Sequence, residues 1–202
     1  MIDRHFAILG AVIAVAGSAG YALDTLRGRT QPNRVSWALW ALAPLIAFAA
    51  ELSQHVGLKS LLTLAVGLGP TLVLIASFVD ARAYARVTAL DIICGVLALA
   101  ALAMWALTGR GDIAIGFSIL TDLLAAIPTL EKARRTPESE SPKAFIGGAV
   151  GAALTLLTIR SQDWAFANFG FALYILLIDT TLLALILRPR VRAPRPPQPR
   201  ER

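Results

Sequence analysis

The sequence predicts an all-α integral membrane protein, with seven transmembrane helices in a 3+1+3 arrangement of two parallel three-helix repeats. Three observations predict it. Of 202 residues, 56% are hydrophobic and only 16% charged, with a mean hydropathy of +0.66, whereas a soluble domain carries about 25% charged residues. Seven apolar runs approach the roughly 20 residues that a helix needs to cross a bilayer core. Two basic loops carry matching residues at an offset of 104–105 positions.

The runs cover residues 6–26, 35–53, 57–79, 88–108, 112–130, 144–159 and 164–187. They are apolar all round rather than alternating, which excludes barrel strands. Within the first, the small residues Ser18, Ala19 and Gly20 could offer a cleavage site, as in a leader. However, one Arg precedes it and Arg27, Arg29 and Arg34 follow, the reverse of a leader's bias. The second opens with Trp37 and Trp40. In the third, Gly67, Gly69 and Pro70 loosen the helix. The fourth has no counterpart in the repeat and serves as a linker. The fifth contains Asp122 and, near its end, Pro128. The sixth is short and Gly-rich, with Gly147 and Gly151 spaced for close helix contact. The seventh holds Asn168 and Asp179. The expected organisation is therefore a first repeat over 1–79, a linker helix over 80–111, a second repeat over 112–187 and a disordered, basic, Pro/Arg-rich tail over 188–202.

Net charge is +6. Fifteen of the nineteen Lys and Arg residues fall on one side of the predicted spans; Arg4, Lys59, Arg110 and Arg160 fall on the other. The positive-inside rule then puts the N-terminus outside and the C-terminus in the cytoplasm, in what is expected to be a bacterial cytoplasmic membrane. An odd number of spans is required for this, and seven is odd. The Arg-rich tail reads as a solvated stop-transfer segment or as a contact for anionic headgroups or a partner. It lacks interleaved aromatic residues, so nucleic-acid binding is not expected.

Thr25-Leu26 matches Thr129-Leu130, while Arg29, Pro32, Ser36 and Trp40 match Arg134, Pro137, Ser141 and Phe145. Both segments leave a span, cross a basic loop and enter the next span, so the first span corresponds to the fifth and the second to the sixth. Three spans reverse direction, and one linking helix restores the parallel orientation of the second copy.

Pro128-Thr129, and the run from Arg135 through Thr136, Pro137, Glu138, Ser139, Glu140 and Ser141 to Pro142, resemble the signature of the PQ-loop superfamily. That pattern is Pro-Gln or a variant, a basic stretch, then a Ser-rich turn into the next helix. Ala167-Asn168-Phe169-Gly170 is similar to the Asn-containing pocket segment of its SWEET and SemiSWEET transporters. The resemblance implies a small polar solute transporter, either a facilitator or proton-coupled, with a pocket between two helical repeats. It implies Asn168 as a solute contact. Some PQ-loop relatives bind peptide signals instead, so a non-transporting receptor or assembly subunit is the alternative. Thr129 stands where the name motif has Gln. Sugar transporters of the family use a deep Trp platform, but Trp37, Trp40, Trp105 and Trp164 are expected here as interfacial anchors.

Among single residues Asp122 is the most informative. A carboxylate deep in a span is costly and faces a cavity or a partner. It is a candidate for solute binding or proton coupling, or it makes a structural hydrogen bond to a neighbouring helix. Asp179 is a second proton-coupling candidate, which Thr180 and Thr181 could equally satisfy. Asp24, close to Arg27, is a candidate gate or a local ion pair. Glu51 and Asp91 are expected at the membrane faces. Pro128 kinks its helix and is a candidate hinge, with Pro142 beside it as a further hinge or gate residue.

Other chemistries are set aside. The three Lys residues all lie outside the last span, so no retinal Schiff base is expected there. Gly109-Arg110-Gly111-Asp112 matches the Gly-x-Gly-Asp string of intramembrane proteases but lies in a loop without a partner motif. His5 and His55 lack metal-ligand spacing, Cys94 is the single cysteine, and no nucleotide fingerprint occurs. No metal, cofactor or catalytic constellation is expected. The expected partners are the lipid bilayer and a small polar solute, with self-association left open.

Overall fold

The computed structural model describes residues 2–79, 86–108, 111–160 and 164–188. Among them it is all-helical, with seven α-helices and no strand: α1 (Phe6–Leu26), α2 (Arg34–Ser53), α3 (Ser60–Val79), α4 (Ala89–Thr108), α5 (Gly111–Arg135), α6 (Lys143–Leu157) and α7 (Phe166–Ile186). Short 3-10 turns at Gly57–Lys59 and Pro137–Ser139 lead into α3 and α6. Among the described residues, five helices are long and apolar enough to cross a membrane. At 15 residues, α6 is apolar but extends only about 22 Å at 1.5 Å per residue, short of the roughly 30 Å bilayer core.

Local chemistry sets the helix ends. Gly28, at φ +66°, takes the left-handed conformation just beyond α1. The Asn33 side chain caps α2, accepting from the backbone N–H of Val35 and Ser36 at 3.0 and 3.2 Å. The fifth apolar run, expected to end at residue 130, continues as helix to Arg135. Lys132, Arg134 and Arg135 occupy its last turn, where the helix dipole favours cations. Pro128 is therefore inside α5 rather than at its end.

The packing forms a closed circuit, α1 to α3 to α2 to α5 to α7 to α6 and back to α1, and α4 packs outside it against α5 and α2. Close contact of α1 with α6 depends on glycine. A Cβ at Gly151 would come within 2.6 Å of the Gly10 carbonyl oxygen, and one at Gly147 within 2.8 Å of that of Ile13. The expected packing role of Gly147 and Gly151 holds, with α1 as their partner.

One end of the bundle is strongly basic. Among the described residues it holds Arg27, Arg29, Arg34, Arg86, Lys132, Arg134, Arg135, Lys143 and Arg188; the opposite end holds Arg4, Lys59 and Arg160. Contacts tie the basic end together. The Gln31 N–H donates to the Ser139 carbonyl at 3.0 Å, the Arg34 side chain reaches Ser77 at the end of α3, and that of Arg188 reaches the Arg134 carbonyl. Arg82, Gly109, Arg110 and the tail from residue 189 lie outside the described residues, as does the Trp105 side chain.

Candidate functional site

All six helices of the circuit line one cavity of about 50 Å³, which is room for a few water molecules. Ser18 comes from α1, Trp37 and Trp40 from α2, Val66 and Pro70 from α3, Asp122 from α5, Phe145 and Gly148 from α6, and Ile175 and Asp179 from α7. Prolines help shape it. With no N–H of their own, Pro44 and Pro70 leave the carbonyls of Trp40 and Val66, one turn back, without the usual helical bond. Both of those residues line the cavity.

Asp122 is 3% exposed. Its Oδ2 accepts a 2.7 Å hydrogen bond from the Tyr174 hydroxyl on α7. The Trp40 indole N–H donates to the Asp122 backbone carbonyl at 3.1 Å, fixing α2 against α5. Asp179 faces the same space, close enough for the two carboxyls to interact electrostatically. Its carboxyl lies against Gly148, where a Cβ would collide with it. Thr180 and Thr181 do not satisfy Asp179: Thr180 is exposed, and the Thr181 hydroxyl donates to the Leu177 carbonyl at 2.8 Å within its own helix. Among the described residues no donor reaches the Asp179 carboxyl.

Towards the basic end an aromatic cluster closes the cavity. The rings of Tyr21 and Trp37 have centroids 4.7 Å apart, and those of Trp37 and Trp40 5.3 Å. Phe145 stands edge-on to Tyr21 at 6.3 Å. Two polar groupings lie beyond it. The Tyr21 hydroxyl donates to Glu140 Oε2 at 2.5 Å, and Lys132 Nζ pairs with Glu140 Oε1 at 2.7 Å. Ser141 Oγ donates to Asp24 Oδ2 at 2.8 Å, Lys143 Nζ lies 2.8 Å from Oδ1, and Arg29 stands off at 4.0 Å. Asp24 is thus tied across the bundle to α6 rather than to Arg27, because it is 6% exposed and a buried carboxylate requires partners there.

The sequence-derived candidates separate accordingly. Asp122 and Asp179 share the cavity. Asp24 and Pro142 lie at its basic-end closure, beside Ser141 and Lys143. Pro128 is buried in α5 between the two levels. Asn168 is half-buried at the start of α7, towards the opposite end, and is outside the cavity lining.

Other expectations are corrected. Trp37 and Trp40 are 2% and 7% exposed and line the cavity instead of anchoring at an interface. Among the described tryptophan side chains only Trp164, 63% exposed and packed on Phe169 at 5.1 Å, has the exposure of an interfacial residue. Glu51 and Asp91 do lie near helix ends, in the last turn of α2 and the first turn of α4, but at 2% and 1% exposure they are buried against neighbouring helices. Thr63 donates to Glu51 at 3.0 Å. Asp91 accepts from the side chains of Asn33 and Thr88.

Tyr174, Trp37, Trp40 and Phe145 were not expected at the site. A signal for Tyr174 was present. A phenol in mid-span requires a partner for its hydroxyl, and Asp122 is the deepest carboxyl of the fifth span. No metal-ligand cluster occurs among the described residues. Comparison with protein-family models, curated proteins and solved structures finds no match.

Proposed function

We propose that the chain is a transporter of a small polar solute, a facilitator or proton-coupled, built from two parallel three-helix units joined by α4, as the PQ-loop resemblance implies. The observation that carries this reading is the meeting of Asp122 and Asp179 in one cavity walled by all six circuit helices. Carboxyls at such depth are costly and mark pathways for solutes and protons.

The packing supports the two-unit plan. Exchanging α1 with α5, α2 with α6 and α3 with α7 maps the circuit onto itself: α1–α3 becomes α5–α7, α2–α3 becomes α6–α7, and α1–α6 becomes α5–α2. Three residue pairs at the repeat offset also line the cavity together, namely Ser18 with Asp122 at 104, and Trp40 with Phe145 and Pro70 with Ile175 at 105. The buried Trp37 and Trp40 add to the likeness, since a deep Trp platform was the family feature the sequence lacked.

In this account the basic end faces the cytoplasm and the N-terminus lies outside, in a bacterial cytoplasmic membrane. Asp122 binds solute or carries the coupling proton, with Asp179 as its neighbour. Asn168 contacts solute on the route from the opposite end. Pro128 is the hinge, and Asp24 and Pro142 belong to the cytoplasmic gate. Uptake into liposomes, with and without a pH gradient, tests it. Asp122→Asn and Asn168→Ala are expected to impair uptake, and parental rates in both would remove the site assignment.

One observation favours a second reading, a receptor or assembly subunit that moves no solute: the cavity is only about 50 Å³ and closed by aromatic rings on its basic side. Co-purification with one partner protein and no flux of any solute would select it.

A further inference from the structure

The less basic end of the bundle gathers its few cations in one place. Four of the nineteen Lys and Arg residues fall on that side of the predicted spans. The three that are described, Arg4, Lys59 and Arg160, all line one open recess of about 1080 Å³. Arg4 precedes α1, Lys59 lies in the turn before α3, and Arg160 follows α6. Two backbone features bring them together. The Ile2 N–H donates to the Leu157 carbonyl at 3.2 Å, tying the N-terminal segment to the end of α6. Gly57, at φ +72°, takes the left-handed conformation with which the chain turns back from α2 into α3.

Against these cations the lining has one carboxylate, Asp3. It is already engaged, accepting from the His5 backbone N–H at 2.8 Å and lying 2.5 Å from Nδ1 of the same residue. The recess therefore carries a net positive charge and favours an anion.

A second feature says which kind of anion. Phe48 and Leu52 from α2 and Leu61 from α3 border the same space, and Leu52 is 52% exposed. Cations beside exposed apolar side chains at the ends of spans match the boundary between headgroups and acyl chains. A small soluble anion would use the charged side alone, and the recess is larger than the roughly 300–1000 Å³ usual for small-molecule sites.

We propose that this recess binds a phospholipid with an anionic headgroup, its phosphate among Arg4, Lys59 and Arg160 and the start of an acyl chain along Phe48, Leu52 and Leu61. The lipid joins the N-terminal segment, the α2–α3 turn and the end of α6. The assignment is independent of the central cavity and of the transport reading.

The test is a titration of the delipidated full-length chain in detergent micelles, read by native mass spectrometry. The probes are dioleoyl phosphatidylglycerol, dioleoyl phosphatidylcholine and soluble glycerol phosphate. One phosphatidylglycerol should bind per chain in preference to phosphatidylcholine, and excess glycerol phosphate should not displace it. Arg4→Gln, Lys59→Gln and Arg160→Gln should each weaken that binding about fivefold, the contribution expected of one cation beside an anionic headgroup. Leu52→Gln should weaken it as well. The basic end is the competing location, so an Arg27→Gln/Arg134→Gln/Arg135→Gln variant should keep the tightly bound lipid. Headgroup preference and stoichiometry are read on the parent, so a variant that fails to fold leaves the test intact. Equal binding of the two lipids would overturn the proposal. Displacement by glycerol phosphate, or unchanged lipid affinity in folded Leu52→Gln, would make the recess a site for a soluble anion and overturn it too. So would loss of the lipid from the basic-end variant with retention in a folded Arg4→Gln/Lys59→Gln/Arg160→Gln variant.

Discussion

The hydroxyl of Tyr174 on α7 donates to Oδ2 of Asp122 on α5 across 2.7 Å. This bond joins the carboxyl that the sequence marks most clearly to a phenol from a neighbouring helix, at the wall of the central cavity. It also gives Asp122 a geometry that a lone acidic residue in a span would lack.

Tyr174→Phe removes that donor and leaves the carboxyl buried without it. A loss of about 1–3 kcal/mol in stability is expected. A cycle of Tyr174→Phe, Asp122→Asn and the double variant, read by titrated unfolding in detergent, should give a coupling of about 0.5–3 kcal/mol. Additive losses would mean that the bond contributes nothing.

The contact of α1 with α6 predicts a contrast between glycines. A Cβ at Gly151 meets the Gly10 carbonyl at 2.6 Å, whereas at Gly116 it meets nothing within 4 Å. Gly151→Ala should destabilise by about 1–3 kcal/mol through overpacking. Gly116→Ala should be neutral or stabilise by up to about 1 kcal/mol through helix propensity. Thermal unfolding of the two variants against the parent measures both.

How far this was legible in the sequence depends on what each residue answers to. The helices were legible because hydropathy responds to the bilayer, and α1 runs from Phe6 to Leu26 as expected. The end of α5 was missed because Glu131 to Arg135 is polar, so hydropathy falls although the helix continues under its dipole. Asp122 was legible because one carboxyl in an apolar run admits few explanations. Trp37 and Trp40 were misread because indoles near a basic loop usually anchor at an interface; here the α1–α2 and α5–α6 loops fold over them, through bonds such as Gln31 to Ser139. The burial of Glu51 was not legible for a related reason: its partner, Thr63, lies on the next helix, and sequence position alone does not reveal such a contact.

The groupings at the basic end predict a consequence for Asp24. Lys143→Met removes its nearest cation while Ser141 stays in place. A carboxylate that is 6% exposed and loses its cation should cost about 3–5 kcal/mol if fully buried, and less here because Lys143 is half exposed. Asp24→Asn in the same chain should recover part of the loss. A double variant less stable than Lys143→Met alone would show that the pair is not what holds this end closed.

The proposed orientation predicts which side reacts with a membrane-impermeant maleimide. With Cys94 replaced by Ser, a cysteine at Lys59 should label in intact cells. One at Arg135 should label only after permeabilisation. The reverse pattern would invert the topology and move the basic end outside.

The central claim is that the cavity is a station on a path open alternately to both sides. Ser18→Cys, in a background of Cys94→Ser, places one thiol on the cavity wall. In oriented membranes it should react with a small impermeant thiol reagent added to either side, and a bound solute should slow both reactions. Labelling from one side only, or from neither, in protein that keeps the parental melting midpoint would contradict the account.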